Sequence, residues 1–139
     1  MREILFRGKR ADNGEWVEGF LTIDPTICDY VIDIVGLTSI MIHPETVGQY
    51  TGLCDKNGKK IFEGDILERK AIFEGSKKKF TQRGYVKYRE QWAEFVAINE
   101  DGKGLEFAIS KVSVDSKNSK VEIIGNIHDN PELLKEGAE

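Results

Sequence analysis

The sequence predicts a mainly β chain: a small, coiled SH3-like β-barrel with additional N-terminal strands and a short C-terminal helix. Three observations carry this expectation. Fourteen glycines stand against three prolines among many short apolar runs, the pattern of strands joined by tight turns. Two stretches carry hairpin chemistry, Asp12-Asn13-Gly14 and Asp55-Lys56-Asn57-Gly58. From Glu63 onward the rhythm is strand, long polar loop, strand, strand, tight turn, strand, short strand.

Residues 2–7 read as a first strand, and Trp16 to Leu21 returns as its hairpin partner across the Asp12-Asn13-Gly14 turn. Asp24-Pro25 ends that partner, because Pro has no N–H for a ladder. Tyr30 to Val35 is β-branched and nearly all apolar, which predicts a strand covered on both faces. Ser39 to Ile42 is a short strand stopped by His43-Pro44, and Pro44 to Val47 fits a single helical turn.

The stretch from Thr46 to Leu67 is the densest in turn chemistry. Asp55 suits the first position of a type I turn, since its carboxylate accepts local backbone N–H bonds, and Gly58 suits the left-handed fourth. That register sets Asp55 opposite Lys59 and Leu53 opposite Ile61, predicting an ion pair and an apolar pair. Glu63-Gly64-Asp65 is a corner leading into a strand from Ile66 to Arg69.

Glu74 to Lys79 is polar and self-repelling, as in an exposed hairpin tip. Gly84 to Arg89 alternates, with Tyr85 and Lys87 on one face and Val86 and Tyr88 on the other. Trp92 to Ile98 continues as a strand. Glu100 to Gly104 is a turn, and Leu105 to Ile109 returns. After a polar loop from Ser113 to Lys120, Val121 to Ile127 is the last strand, with Gly125 at a bulge. Asn130 can cap a helix and Pro131 suits its first position, with Leu133 and Leu134 as its anchors. At 139 residues this is one domain, 1–139, with sub-lobes at 1–45 and 46–139.

Several of these segments resemble one family. Tyr50-Thr51-Gly52-Leu53, Asp55-Lys56-Asn57-Gly58 and Ile61-Phe62-Glu63-Gly64-Asp65-Ile66 are similar to the signature of the YopX family of phage and prophage proteins. The closing segment, Val121 to Leu134, resembles that family's end. Phe6-Arg7-Gly8-Lys9-Arg10 and Gly84-Tyr85-Val86-Lys87-Tyr88 stand where the family would place them. The resemblance implies a mainly β protein encoded in bacterial phages or prophages, and it supplies no catalytic residues to carry over.

The composition, 40% hydrophobic and 32% charged, supports a buried core in a soluble chain. No run of about 18 apolar residues offers a membrane span. The N-terminus is too short and too charged for a signal peptide, so the expectation is the bacterial cytoplasm, with Cys28 and Cys54 as free thiols. The net charge of −4 argues against general nucleic-acid binding. It is unevenly spread, however. Residues 68–90 hold eight Lys or Arg against three Glu, which makes that segment +5 and the remainder −9.

No motif points to catalysis, a cofactor or a metal. His43 reads as a polar strand end, and His128 as part of the turn into the last helix. Asp55, Glu63 and Asp65 are accounted for by the turn and the corner, and Cys54 has no adjacent base. The candidate site is the basic segment: Lys77, Lys78, Lys79, Arg83, Lys87 and Arg89, interleaved with Phe80, Tyr85, Tyr88 and Trp92. It combines phosphate-attracting charge with stacking rings. The first expectation is a non-enzymatic binding module that self-associates as a homo-oligomer. The second is a nucleic-acid accessory protein using residues 69–92. An acidic protein partner is a third occupant for the same segment. The bland alternative is a solvated loop and a strand whose rings are core.

Overall fold

The computed structural model describes residues 3–34, 39–72, 75, 79–99, 105–112 and 120–136. The chain divides into two compact units, Met1–Gly52 and Leu53–Glu139.

The first unit is an antiparallel sheet of β1 (Phe6–Lys9), β2 (Trp16–Asp24), β3 (Asp29–Asp33), β4 (Ser39–Met41) and the part of β5 (Gly48–Cys54) up to Gly52, in the order β4-β3-β2-β1-β5. The first turn forms as its residues predict, with Gly14 N–H donating to Arg10 O at 2.9 Å. The Arg10 guanidinium donates to both Asp12 carboxylate oxygens, at 2.9 and 2.8 Å. That contact holds the Asp12 carboxyl below the ordinary carboxylate range.

β2 runs on to Asp24, as far as Pro25 allows. Val31 and Ile32 point to opposite faces of β3 and are both buried, as their apolar run implies. Pro44–Thr46 is a single 3-10 turn. The Thr46 hydroxyl ties this turn to β1: it accepts from Lys9 N at 2.9 Å and donates to His43 O at 2.6 Å. Bonds from Ala11 N to Met41 O and from His43 N to Lys9 O join the end of β4 to the end of β1.

The second unit holds β6 (Lys60–Phe62), β7 (Asp65–Ile72), β8 (Lys79–Arg89), β9 (Glu94–Asn99), β10 (Leu105–Ala108) and β11 (Val121–Asn126). Its antiparallel sheet runs β10-β9-β8-β7-β11. Two short helices, α1 (Ile109–Val112) and α2 (Leu133–Glu136), accompany it. Ile61, Leu67, Val86, Ala97, Phe107, Ile109 and Val121 form its buried core, with Leu53 packed against it. Burying one such aliphatic side chain contributes about 1.5–3 kcal/mol.

The 55–58 turn takes the predicted form. Gly58 N–H donates to Asp55 O at 3.0 Å, and Gly58 has φ +81°. The predicted ion pair with Lys59 is replaced by something tighter. Asp55 is fully buried. One carboxylate oxygen accepts the backbone N–H groups of Asn57 and Lys59, both at 2.9 Å, and the other accepts Ile123 N–H at 3.1 Å. Lys56 N also donates to Val121 O at 2.9 Å. The turn thereby satisfies the outer edge of β11, which would otherwise be unpaired.

Three expectations are corrected. Trp92 is not in a strand: Glu90–Trp92 is a 3-10 turn, ended by Ala93 in the left-handed region at φ 50°, and β9 starts at Glu94. β8 and β9 are antiparallel neighbours, so the chain must reverse between them. Ile109 leaves β10 to begin α1, where its side chain is a fully buried core anchor. The Asn130 side chain does not cap α2; its amide oxygen accepts Asn126 N–H at 3.4 Å, and its backbone oxygen accepts Leu133 N–H at 3.1 Å.

The bulge at Gly125 is present, as a register shift between Ile123 and Gly125. The turn expected at 100–104 and all but Lys120 of the polar loop expected at 113–120 lie outside the described residues, as does most of the 74–79 tip. The mainly β expectation holds as two antiparallel sheets with short helices, and no closed barrel is found among the described residues.

Candidate functional site

The basic segment is spread along β8 and the turn after it. Lys77 and Lys78 lie outside the described residues, and only the backbone of Lys79 and Phe80 is described. Arg83, Tyr85, Lys87 and Arg89 share one face of β8 by strand alternation. Two of these cations are already neutralised. Arg83 pairs with Glu68 at 2.7 Å and also donates to Leu133 O at 3.1 Å. Arg89 pairs with Glu106 at 3.2 Å.

Tyr85 is partly buried and Lys87 is exposed. On the opposite face Tyr88, 40% exposed, meets Phe95 edge-on with ring centroids 5.1 Å apart. Trp92 is the most open ring among the described residues, at 61% exposure. The segment therefore keeps exposed rings, while its two arginines are spent on pairs within the chain.

Of the residues considered for catalysis, Asp55 and Asp65 accept backbone N–H groups. Asp65 is buried and accepts Phe62 N–H at 2.8 Å, which closes the 63–65 corner. Asn126 Oδ1 accepts the N–H groups of His128 and Asp129, at 3.0 and 2.9 Å, building the turn before α2. The His128 ring lies beside Gly64. In the first unit His43 is exposed, with Nδ1 3.9 Å from Glu45 Oε1. Neither cysteine is in a disulfide. Among the described residues no group of three or more His, Cys, Asp or Glu could hold a metal ion. No described helix is long and apolar enough to cross a membrane.

The fold also gathers a cationic recess that the sequence does not announce. It has a volume of about 290 Å³ and is lined by Lys56, Glu68, Arg69, Lys70, Lys120 and Glu122. Pairing of Val121 with Arg69 and of Glu122 with Glu68 brings the start of β11 against β7. The 55–58 turn adds Lys56, whose ammonium sits 3.3 Å from Glu122 Oε2.

Arg69 is fixed from two sides. Its Nε donates to Gln82 Oε1 at 2.6 Å, and its guanidinium carbon lies 4.4 Å from the Phe107 ring centroid. Partial burial lowers its pKa from the ordinary value, and an arginine so lowered is still a cation at neutral pH. No local motif marks this cluster, since its members come from three separate segments. The only signal is the pairing of β7 with β11.

Two sheets whose motif side chains close turns and strand edges define a structural class: a two-unit, mainly β protein with its polar signature turned inward. Within that class the chain belongs to the YopX protein family, whose model matches residues 5–135. Among solved structures it is similar to protein EF1440 from Enterococcus faecalis. The two share 27% identity over 96% of this chain and 99% of that one, with a TM-score of 0.53. No curated protein matches the chain.

Proposed function

We propose that the chain is a non-enzymatic, phage- or prophage-encoded binding module of the bacterial cytoplasm that self-associates through its first unit. The observation that carries this is the apolar exposure on β2, β3 and β4. Phe20 is 53% exposed and Met41 51%, and register places both on the face that also holds Thr22 and Val31. Ile23 and Tyr30, directly opposite each other on the other face, are 55% and 42% exposed. Single exposed apolar residues are ordinary, but several within one small sheet are the mark of a contact surface. A second copy is the simplest occupant, since an apolar patch is complementary to itself across a two-fold axis. The test is sedimentation velocity of the Phe20→Glu/Met41→Glu variant beside the parent chain. The reading expects the parent to sediment as an oligomer and the variant as a folded monomer. Identical sedimentation of the two would overturn it.

A second reading, nucleic-acid binding through residues 69–92, is favoured by the exposed Lys87 and by the open Trp92 ring. It expects affinity for single-stranded DNA or RNA that falls roughly one log unit per log unit of salt for each phosphate neutralised. It also expects Trp92→Ala to weaken binding, since stacking on one ring contributes about 1–3 kcal/mol. Salt-indifferent binding, or none at low salt, would sink it.

A further inference from the structure

We propose that Asn13 is a modification site: in the folded chain it deamidates spontaneously to aspartate and isoaspartate, while Asn57 is protected. The chain holds two Asn-Gly pairs, Asn13-Gly14 and Asn57-Gly58, each in a hairpin turn. Asparagine is chemically labile, and a following glycine has no side chain to hinder attack by its backbone nitrogen. By local sequence the two pairs are equivalent. The structure separates them.

At the first turn, Glu15 N–H donates to Asn13 Oδ1 at 2.9 Å. A side-chain carbonyl held by the N–H two residues on curls over the backbone nitrogen between them. Here that nitrogen is Gly14 N, so the Asn13 amide carbon is held beside the atom that attacks it. The Glu15 N–H also sits where negative charge develops on Oδ1 during the attack, and it stabilises that charge. Asn13 and Gly14 are exposed, and nothing lies within 4 Å of the position a Cβ on Gly14 would take. Water and hydroxide therefore reach the site.

At the second turn the corresponding donor is taken. Lys59 N–H donates to Asp55 Oδ1 at 2.9 Å, as does Asn57 N–H. The Asn57 side chain turns instead towards β11, with Nδ2 donating to Glu122 Oε1 at 3.5 Å. Among the described residues no N–H meets Asn57 Oδ1. One cost is common to both turns. The attacking nitrogen must give up a hydrogen bond, from Gly14 N to Arg10 O at 2.9 Å or from Gly58 N to Asp55 O at 3.0 Å. That cost does not discriminate between them; the donor on Oδ1 does.

The reaction consumes one water and releases one ammonia. Hydroxide takes the proton of Gly14 N, the N–Cγ bond forms, and the Cγ–Nδ2 bond breaks as the leaving nitrogen gains a proton from water. A second water opens the cyclic imide at either carbonyl. One opening gives aspartate. The other gives isoaspartate, whose backbone runs through Cγ and is longer by one methylene. That methylene falls between Arg10 and Glu15, whose bond from Arg10 N to Glu15 O at 2.8 Å closes the β1–β2 hairpin.

The test is incubation of the intact chain at mildly alkaline pH, folded in buffer and unfolded in urea, with conversion at each asparagine followed by peptide mapping and mass spectrometry. The unfolded chain supplies the intrinsic rates of the two Asn-Gly pairs. The proposal expects the preference for Asn13 over Asn57 to be at least about tenfold greater in the folded chain, the effect of one hydrogen bond to a developing charge. The same preference in both states, a folded chain that converts Asn57 faster, or no conversion of Asn13 while folded would overturn it.

Discussion

Asp55 shows most clearly how a local signal becomes a long-range restraint. Its carboxylate is buried and accepts three backbone N–H groups, two inside its own turn and one from Ile123. The turn was legible because every residue it needs lies within four positions, and Asp and Gly are the types those positions favour. The third bond was not legible, since nothing near Asp55 names Ile123 as its partner. Asp55→Asn tests that bond. Asparagine can still accept from Asn57 and Lys59, but its NH₂ would then face the Ile123 N–H, donor against donor. The expected loss is roughly 1–3 kcal/mol, read as a lower urea midpoint with an unchanged slope. An unchanged midpoint would mean that the Ile123 bond contributes nothing.

At the scale of the element, β8 is where sequence and structure part company. Its alternation was readable from Gly84 to Arg89, and Val86 is buried as that pattern implies. The reversal after it was missed because Glu90-Gln91-Trp92-Ala93 contains no Gly, Pro, Asn or Asp. An alanine takes the left-handed position instead, at φ 50°. The pairing of β8 with its neighbours depends on a missing side chain. A Cβ on Gly84 would stand 2.9 Å from Ile98 N and 3.0 Å from Ile98 O, against backbone that has no rotamer to change. Gly84→Ala must therefore spread β8 from β9. We expect a loss of about 1–3 kcal/mol and a lower melting temperature. Amide exchange should quicken most along the 85–89 and 94–98 ladder, and uniform exchange across the chain would refute that local account. The pairing of β7 with β11 explains the recess in the same way. Arg69 and Lys120 are far apart in sequence, and only the register of that ladder makes them neighbours.

At the scale of the whole molecule, charge segregation was visible in the sequence, but its use was not. The +5 segment suggested a free basic face, yet Arg83 and Arg89 are neutralised by Glu68 and Glu106 from their own unit. Charge alone is thereby weakened as a basis for contact between copies. The exposed apolar side chains of the first unit are the stronger basis, and alternation within single strands could not have revealed them. Knowing that Phe20 and Met41 share a face required the register of β2, β3 and β4. Burying two such side chains at a contact contributes about 1.5–3 kcal/mol each before the cost of association. A homo-oligomer resting on them should form reversibly and depend on concentration. The measurement that tests self-association most directly is light scattering coupled to size exclusion across a concentration series of the unmodified chain. The account predicts a mass that rises with concentration to at least twice the 15.7 kDa of one chain. A constant mass of one chain at every concentration would contradict it.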